Sequence, residues 1–428
     1  MEINIGLIGL GTVGSGVVDI LNRSGNLIEK RTGIRINLKK VCDLRIEKMG
    51  ELKLKQNIFT NNFKDIINCP NIDVVVELIG GYDPAKDIIS RSLRSGKHVV
   101  TANKAVISKY FKELFAESGD NKAILNFGAS VAGSIPILDV IRDRFATENI
   151  SSVFAILNGT TNFILTKIEE GLSYGEALKI AQNKGFAERD PTFDVEGKDS
   201  AMKLSILSNL ICNAPIDAGI YTEGIGDITY EDISHASDIG YRIKLIAILK
   251  KDKDVIELRV HPTLIPKHNE LASVANEFNA ILLKGDNIGT SLLYGLGAGK
   301  LPTANAVISD IIKIGNHIRD KTYSPQVRFF NKLSVKSIDD VESRYFIKFL
   351  VVDKIGVLAR ISAILSEYGI SISGVWVKGK NDGLISLITT THKASNRSIF
   401  EAVKKIDSSE NLVEGKSKIL RIEDIDDL

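Results

Sequence analysis

The stretch with the densest chemistry is Gly185-Phe186-Ala187-Glu188-Arg189-Asp190-Pro191-Thr192-Phe193-Asp194-Val195-Glu196-Gly197-Lys198-Asp199-Ser200-Ala201-Met202-Lys203. Asp199 and Lys203 stand four apart where an apolar-periodic pattern begins, so a helix sets both side chains on one face, acid before base. At an exposed site such a pair is only a solvated salt bridge. The pattern that follows, Leu204, Ile206, Leu207, Leu210 and Ile211, is too apolar for a surface helix, and the preceding loop gathers four carboxylates: Glu188, Asp190, Asp194 and Glu196. That setting suits acid–base chemistry at a sheltered site. On these residues alone, both readings stand.

A second candidate lies near the N-terminus. Gly9-Leu10-Gly11-Thr12-Val13-Gly14 satisfies GxGxxG directly after the β-branched run Ile3 to Ile8 and ahead of a helical pattern from Val17 to Ile28. The missing side chains permit a tight turn, close approach of a pyrophosphate and tight helix–strand packing, while the helix N-terminus faces the anion. The alternative is a purely structural glycine turn. Asp43 closes the next strand and favours NAD, whereas Arg45 and Lys48 just beyond it suit the 2′-phosphate of NADP; a solvated strand-end turn is the third reading, and the cofactor stays open.

These residues need a scaffold. Strands Leu38 to Cys42, Val74 to Leu78 and His98 to Thr101 alternate with helices Ala85 to Arg94 and one after Asn103, which predicts a doubly wound parallel sheet. From about Val131 the pattern becomes mixed, with strands such as Val153 to Leu157, Ile256 to Val260 and Ala280 to Leu283. Ser173 three residues before Glu176 marks a capping box for a helix ending at Gly185. Thr322 to Ser343 loses periodicity around Pro325 and reads as a linker. Beyond it the order is strand (345–352), helix (357–368), strand (370–377), strand (384–390), helix (398–406) and strand (417–422), a small ferredoxin-like module.

Composition removes whole classes of function. The 428 residues carry 55 Lys and Arg against 53 Asp and Glu, a formal charge of +2 that gives no case for nucleic acid or a membrane surface. No apolar run approaches the roughly 18 residues of a membrane span. Cys42, Cys69 and Cys212 lack CxxC spacing, and the six histidines lack zinc-ligand spacing. With no leader ahead of the first strand, a cytoplasmic location is expected.

The segment Ala181 to Lys203 resembles the homoserine dehydrogenase signature at Ala181, Gly185, Phe186, Ala187, Asp190, Pro191, Asp194, Val195, Gly197, Asp199 and Lys203. The likeness extends to the glycine turn, Thr101-Ala102-Asn103-Lys104-Ala105, Asn158-Gly159-Thr160, Gly297-Ala298-Gly299 and Pro302-Thr303-Ala304, covering about the first 320 residues. The remainder resembles an ACT module with its amino-acid-binding turn at Asp353-Lys354-Ile355-Gly356-Val357-Leu358. The chain thus resembles a monofunctional member of the family, with no kinase domain ahead of it.

The resemblance implies reversible reduction of aspartate 4-semialdehyde to homoserine with NAD(P)H, NADP favoured. It gives Lys203 and Lys104 to the reacting group, with Asp199 orienting Lys203; Lys203 is the preferred proton donor and Lys104 the alternative. A lysine ammonium, with an ordinary pKa of about 10.4, both stabilises a growing alkoxide and protonates it. Glu188 and Asp194 would take the substrate ammonium, and Thr160 and Gly159 its polar end. Gly9, Gly11, Thr12, Val13, Gly14, Thr101, Lys104, Gly185 and Gly299 would hold the dinucleotide. A monovalent cation, sodium, would sit on carbonyls of Val131, Gly133 and Ile135, although Gly128 replaces the usual glutamate. Asp353, Gly356, Val357 and Leu358 would bind an effector such as threonine. The implied domains are 1–130 for the dinucleotide, with a helix over 302–319 packing back on it, 131–321 for substrate, catalysis and dimerisation, a linker over 322–343, and 344–428 for regulation. A homodimer or homotetramer is expected. The competing readings are another NAD(P)-dependent amino-acid dehydrogenase and a catalytically silent amino-acid or nucleotide sensor.

Overall fold

Glu2–Ile8 is almost wholly buried, as expected of a strand covered on both faces. In the computed structural model, which describes residues 1–216, 219–323, 327–379 and 383–425, it lies inside a six-stranded sheet. The spatial order is Phe59–Thr60, Arg35–Cys42, Glu2–Ile8, Val74–Glu77, His98–Thr101, Leu125–Asn126, and every pairing is parallel. The order reverses at Glu2–Ile8, and a crevice outside the carboxyl ends of strands at such a switch point is where doubly wound sheets take ligands.

The first helix runs Thr12–Thr32, five residues earlier than the apolar periodicity begins. Two glycines explain the difference, because they lower helix propensity while serving packing. A Cβ on Gly14 would lie 1.9 Å from the Gly9 carbonyl oxygen, and one on Gly16 would lie 2.7 Å from that of Lys300. Gly16 therefore lets the helix Lys300–Asp320 approach closely, and its Ala304, Val307, Ile308, Ile311 and Ile314 share a core with Ile3, Ile5, Val17 and Val18.

Contacts divide the chain into two compact units: Met1–Ile150 with Asp199–Ala218 and Glu277–Leu333, and Ser151–Lys198 with Gly219–Asn276 and Ser334–Leu428. This division crosses the linear boundaries read from sequence. In the second unit Tyr241–Asp252 and Val255–Pro266 form a long antiparallel hairpin. Only part of the second strand, Ile256 to Val260, was legible as strand. Tyr241–Asp252 has a run of consecutive buried residues, so it lacks the alternation that marks a half-exposed strand.

The C-terminal βαββαβ order is as read. Its strands lie in the order Lys418–Ile422, Glu342–Val352, Leu384–Thr391, Ile372–Gly379, all antiparallel. Helices Val357–Glu367 and Asn396–Asp407 cover them through Ile361, Leu365, Ile399 and Ile406, packed on Tyr345, Ile347 and Phe349. Lys418–Ile422 also pairs in parallel with Val255–Pro266, through Thr263 with Arg421 and Leu264 with Ile422. The expected linker is not structureless: Ser334–Val335 pairs with Val255 and Ile256. Ser324, Pro325 and Gln326 lie outside the described residues.

Candidate active site

The helix Lys198–Cys212 is buried along most of its length, so the pair at its start is sheltered. Lys203 donates from Nζ to Asp199 Oδ2 at 2.7 Å, and Lys104 Nζ lies 2.9 Å from Asp199 Oδ1. One carboxylate, its side chain 4% exposed, thus stands between two ammonium groups, of which Lys203 is 10% and Lys104 36% exposed. Two ammonium groups held beside one buried carboxylate are an arrangement suited to a growing oxyanion.

Lys104 opens the helix Lys104–Asp120, and its position is fixed from behind. The Asn103 side chain accepts from Val106 N at 3.2 Å and donates to the Gly81 carbonyl at 2.8 Å. Thr101 Oγ1 accepts from Asn103 N at 3.0 Å and donates to Glu77 Oε2 at 2.6 Å, while Glu77 Oε1 accepts from Ile79 N at 2.8 Å. Burial pushes the Glu77 carboxyl up, against hydrogen bonds that favour its charged form. Sequence reasoning missed Glu77; the signal was a carboxylate ending the otherwise apolar strand Val74–Glu77. The Thr101 hydroxyl, assigned to the dinucleotide, is engaged in this relay.

The glycine turn has the shape of a phosphate cradle. Gly9 has φ +101°, nothing lies within 4 Å of a Cβ built on Gly11, and the helix Thr12–Thr32 begins at Gly11 with no side-chain cap. Its first N–H groups, including those of Thr12 and Val13, are therefore suited to an anion. Asp43 Oδ2 accepts from Leu10 N at 2.6 Å and Oδ1 from Arg45 Nε at 3.0 Å. Burial raises the Asp43 carboxyl, but Arg45 and the backbone N–H groups outweigh it and hold it at about 2. Lys48 pairs with Glu51. Gly299, with φ +125°, precedes the helix Lys300–Asp320 and has no side-chain cap.

In the second unit Asn158 caps the helix Gly159–Glu169 by accepting from Thr161 N at 2.8 Å, and its Nδ2 donates to Asp194 Oδ1 at 2.7 Å. Thr160 Oγ1 donates to the Phe186 carbonyl at 2.6 Å. Glu188 is exposed, and Gly185, with φ +74°, follows the helix Tyr174–Asn183, whose Ser173/Glu176 capping box is present as read. The effector turn Asp353 to Leu358 is largely exposed, with Gly356 at φ +91° entering the helix Val357–Glu367 without a side-chain cap.

The cation segment fits its ion poorly. Gly128 N donates to Asp310 Oδ2 at 2.7 Å, and a Cβ at Gly128 would meet that oxygen at 2.9 Å. The Asp310 carboxylate standing there is matched by Lys313 Nζ at 3.1 Å, and the Ile135 carbonyl already accepts from Ile137 N at 2.8 Å. Among the described residues no cluster of three or more His, Cys, Asp or Glu could hold a metal, and Cys42, Cys69 and Cys212 are free thiols.

A parallel sheet with a bare-ended glycine turn, in the same unit as a carboxylate shared by two lysines, defines the class: a dinucleotide-dependent oxidoreductase. A family model described as "Homoserine dehydrogenase" matches residues 136–312, "Homoserine dehydrogenase, NAD binding domain" matches 9–127, and "AHAS small subunit-like ACT domain" matches 347–413. The chain is 40% identical to the homoserine dehydrogenase of Bacillus subtilis over 97% of each chain. The crystal structure of a homoserine dehydrogenase from Thiobacillus denitrificans is similar at TM-score 0.92 and 37% identity, covering 99% of each chain. A hyperthermophilic archaeal homoserine dehydrogenase in complex with NADPH is similar at TM-score 0.62 and 25% identity, over 74% of this chain and 98% of that one. The chain belongs to the homoserine dehydrogenase family. No helix among the described residues is long and apolar enough to cross a membrane.

Proposed function

We propose that this protein reduces aspartate 4-semialdehyde to homoserine, reversibly, with NADP(H) preferred over NAD(H). The observation that carries this reading is Asp199 held between Lys104 and Lys203. The reduced dinucleotide, when bound, supplies the hydride for the aldehyde carbon. Lys203 stabilises the oxygen that becomes negative and gives it a proton; in the oxidative direction the same amine takes the hydroxyl proton. Asp199 orients Lys203, and Lys104 adds a second cation and places the reactants. Glu188 and Asp194 receive the substrate ammonium, while Thr160 and Gly159 set its polar end. Gly9, Gly11, Thr12, Val13, Gly14, Thr101, Gly185 and Gly299 hold the dinucleotide.

The NADP preference draws support from Asp43, whose two oxygens are committed to Leu10 N and Arg45, leaving it poorly placed to accept ribose hydroxyls. Arg45 is then the cation for a 2′-phosphate, and the NADPH complex of the archaeal relative agrees with that choice. The C-terminal module binds a small amino acid, with threonine the candidate, at Asp353, Gly356, Val357 and Leu358. The functional assignments keep the sequence boundaries 1–130, 131–321 and 344–428 although contacts divide the chain differently, the assembly is a homodimer or homotetramer, and the protein works in the cytoplasm. Consumption of NADPH and NADH with aspartate semialdehyde tests the reading: turnover with either supports the reaction, the ratio of kcat/KM sets the cofactor, and no turnover sinks it.

A further inference from the structure

Arg421, on the strand Lys418–Ile422 beyond the residues matched to the ACT family, is 1% exposed. Its Nη1 donates to both Glu223 carboxylate oxygens at 3.0 Å, and its Nη2 to Asn396 Oδ1 at 2.6 Å and Tyr221 Oη at 3.3 Å. The guanidinium also lies 5.1 Å from the Tyr221 ring centre and 6.0 Å from that of Tyr345. A planar guanidinium engaged through both terminal nitrogens fixes its partners in position and orientation, while its Nε is buried without a partner among the described residues.

Glu223 belongs to a short segment pressed against the loop ahead of Lys198. Glu223 N donates to the Val260 carbonyl and Ile225 N to that of Val195, both at 2.8 Å. A Cβ on Gly224 would lie 2.5 Å from the Val195 carbonyl oxygen and 2.8 Å from Glu196 Cα, and one on Gly197 would lie 3.0 Å from Thr222 Cγ2. The two backbones therefore touch with no room for a methyl group. Residue 194, immediately before that contact, is the aspartate bonded by Asn158.

We propose that Arg421 is a positioning residue for the substrate: through Glu223 and the Gly224–Val195 contact it sets Asp194, so the C-terminal module contributes directly to substrate affinity. This rests on the reading of Asp194 as a partner of the substrate ammonium. A shift of a few tenths of an ångström in that carboxylate weakens ground-state binding while leaving untouched the hydride supplied by the dinucleotide and the proton supplied by Lys203.

The test is steady-state kinetics on Arg421→Met, Arg421→Lys, Glu223→Gln and Asp194→Asn, with thermal melts. Arg421→Met and Glu223→Gln should raise the KM for aspartate semialdehyde about tenfold, with kcat and the NADPH KM within about twofold of the parent, and Arg421→Lys should recover part of the loss. If kcat and both KM values moved together with the melting temperature, or if nothing moved, the positioning role would be overturned. Should Arg421→Met fail to fold, Glu223→Gln, which leaves the buried arginine its bond to Asn396, decides. Asp194→Asn separates the two layers. An unchanged substrate KM there removes the ammonium assignment itself, whereas a raised KM with silent Arg421 and Glu223 variants removes only this proposal.

Discussion

Asp199 faces two ammonium groups, and one of them, on Lys104, keeps 36% of its side chain open to solvent. In the second unit Arg259 is 1% exposed and bonds Glu423 at 2.7 Å, Lys250 bonds the same carboxylate at 2.7 Å, and Arg421 is matched by Glu223. Both clusters bury charge, but the first sets two ammonium groups on one carboxylate, one of them partly open to solvent, whereas the second matches two arginines, each 1% exposed, with Glu423 and Glu223. Electrostatic stabilisation of a transition state requires positive charge that is preorganised and reachable. The buried arginines of the second cluster are out of reach; they resist removal because each would leave its partner uncompensated.

Breaking the lysine cluster should therefore cost rate, and breaking the arginine cluster stability. Lys203→Ala should lower kcat about 10³-fold or more, in both directions, with little change in melting temperature, since loss of a key proton donor and oxyanion partner costs about 4 kcal/mol. Near-parent turnover in either direction would contradict the donor assignment. Glu423→Ala should show the reverse: about 3 kcal/mol of stability lost in denaturant titration, because buried Arg259 keeps only its longer carboxylate contact, to Glu257 at 3.4 Å, and Lys250 loses its carboxylate, with kcat of the folded fraction within about twofold.

Burial also acts on a single cation in the second unit. Lys244 donates to the Val274 carbonyl at 2.6 Å and to Asn162 Oδ1 at 3.2 Å, and burial lowers it to about 8. The unfolded chain, with an ordinary lysine near 10.4, holds the proton more tightly. Stability from this group is thus smallest below about pH 8 and rises as pH climbs toward about 10.4, by about 3 kcal/mol in total. The difference in unfolding free energy between parent and Lys244→Met should follow that curve; a flat difference from pH 7 to 10 would exclude it. The smallest effect sharpens the first cluster. Glu77→Gln retains bulk but loses an acceptor in the relay through Thr101 and Asn103, so kcat should fall about tenfold with the fold intact, visible in rates beside unchanged circular dichroism.

The glycine turn and the Asp199/Lys203 pair were legible because each is local: a six-residue turn pattern and a four-residue helical spacing. Lys104 entered only through family resemblance, since nothing in local periodicity joins it to a carboxylate 95 positions later. Glu77 and the Arg421–Glu223 fork were invisible for the same reason, as buried charges are paired by tertiary structure and not by spacing. Tyr241–Asp252 escaped because complete burial erases the period of two. Asp43 shows a subtler limit: its place at the strand end was read correctly, but its commitment to Leu10 N and Arg45, which decides what it can bind, exists only in three dimensions.

The late strand Lys418–Ile422 sits between Val255–Pro266 and Glu342–Val352, and its pairing of Thr263 with Arg421 joins residues far apart in sequence. During synthesis, the facing edges of both neighbours must wait with unpaired N–H and C=O groups until Lys418–Ile422 emerges, and closure over so long a loop is slow. A chain stopped short of Lys418 would bare two β-edges at once and should partition into aggregates instead of yielding an unregulated enzyme.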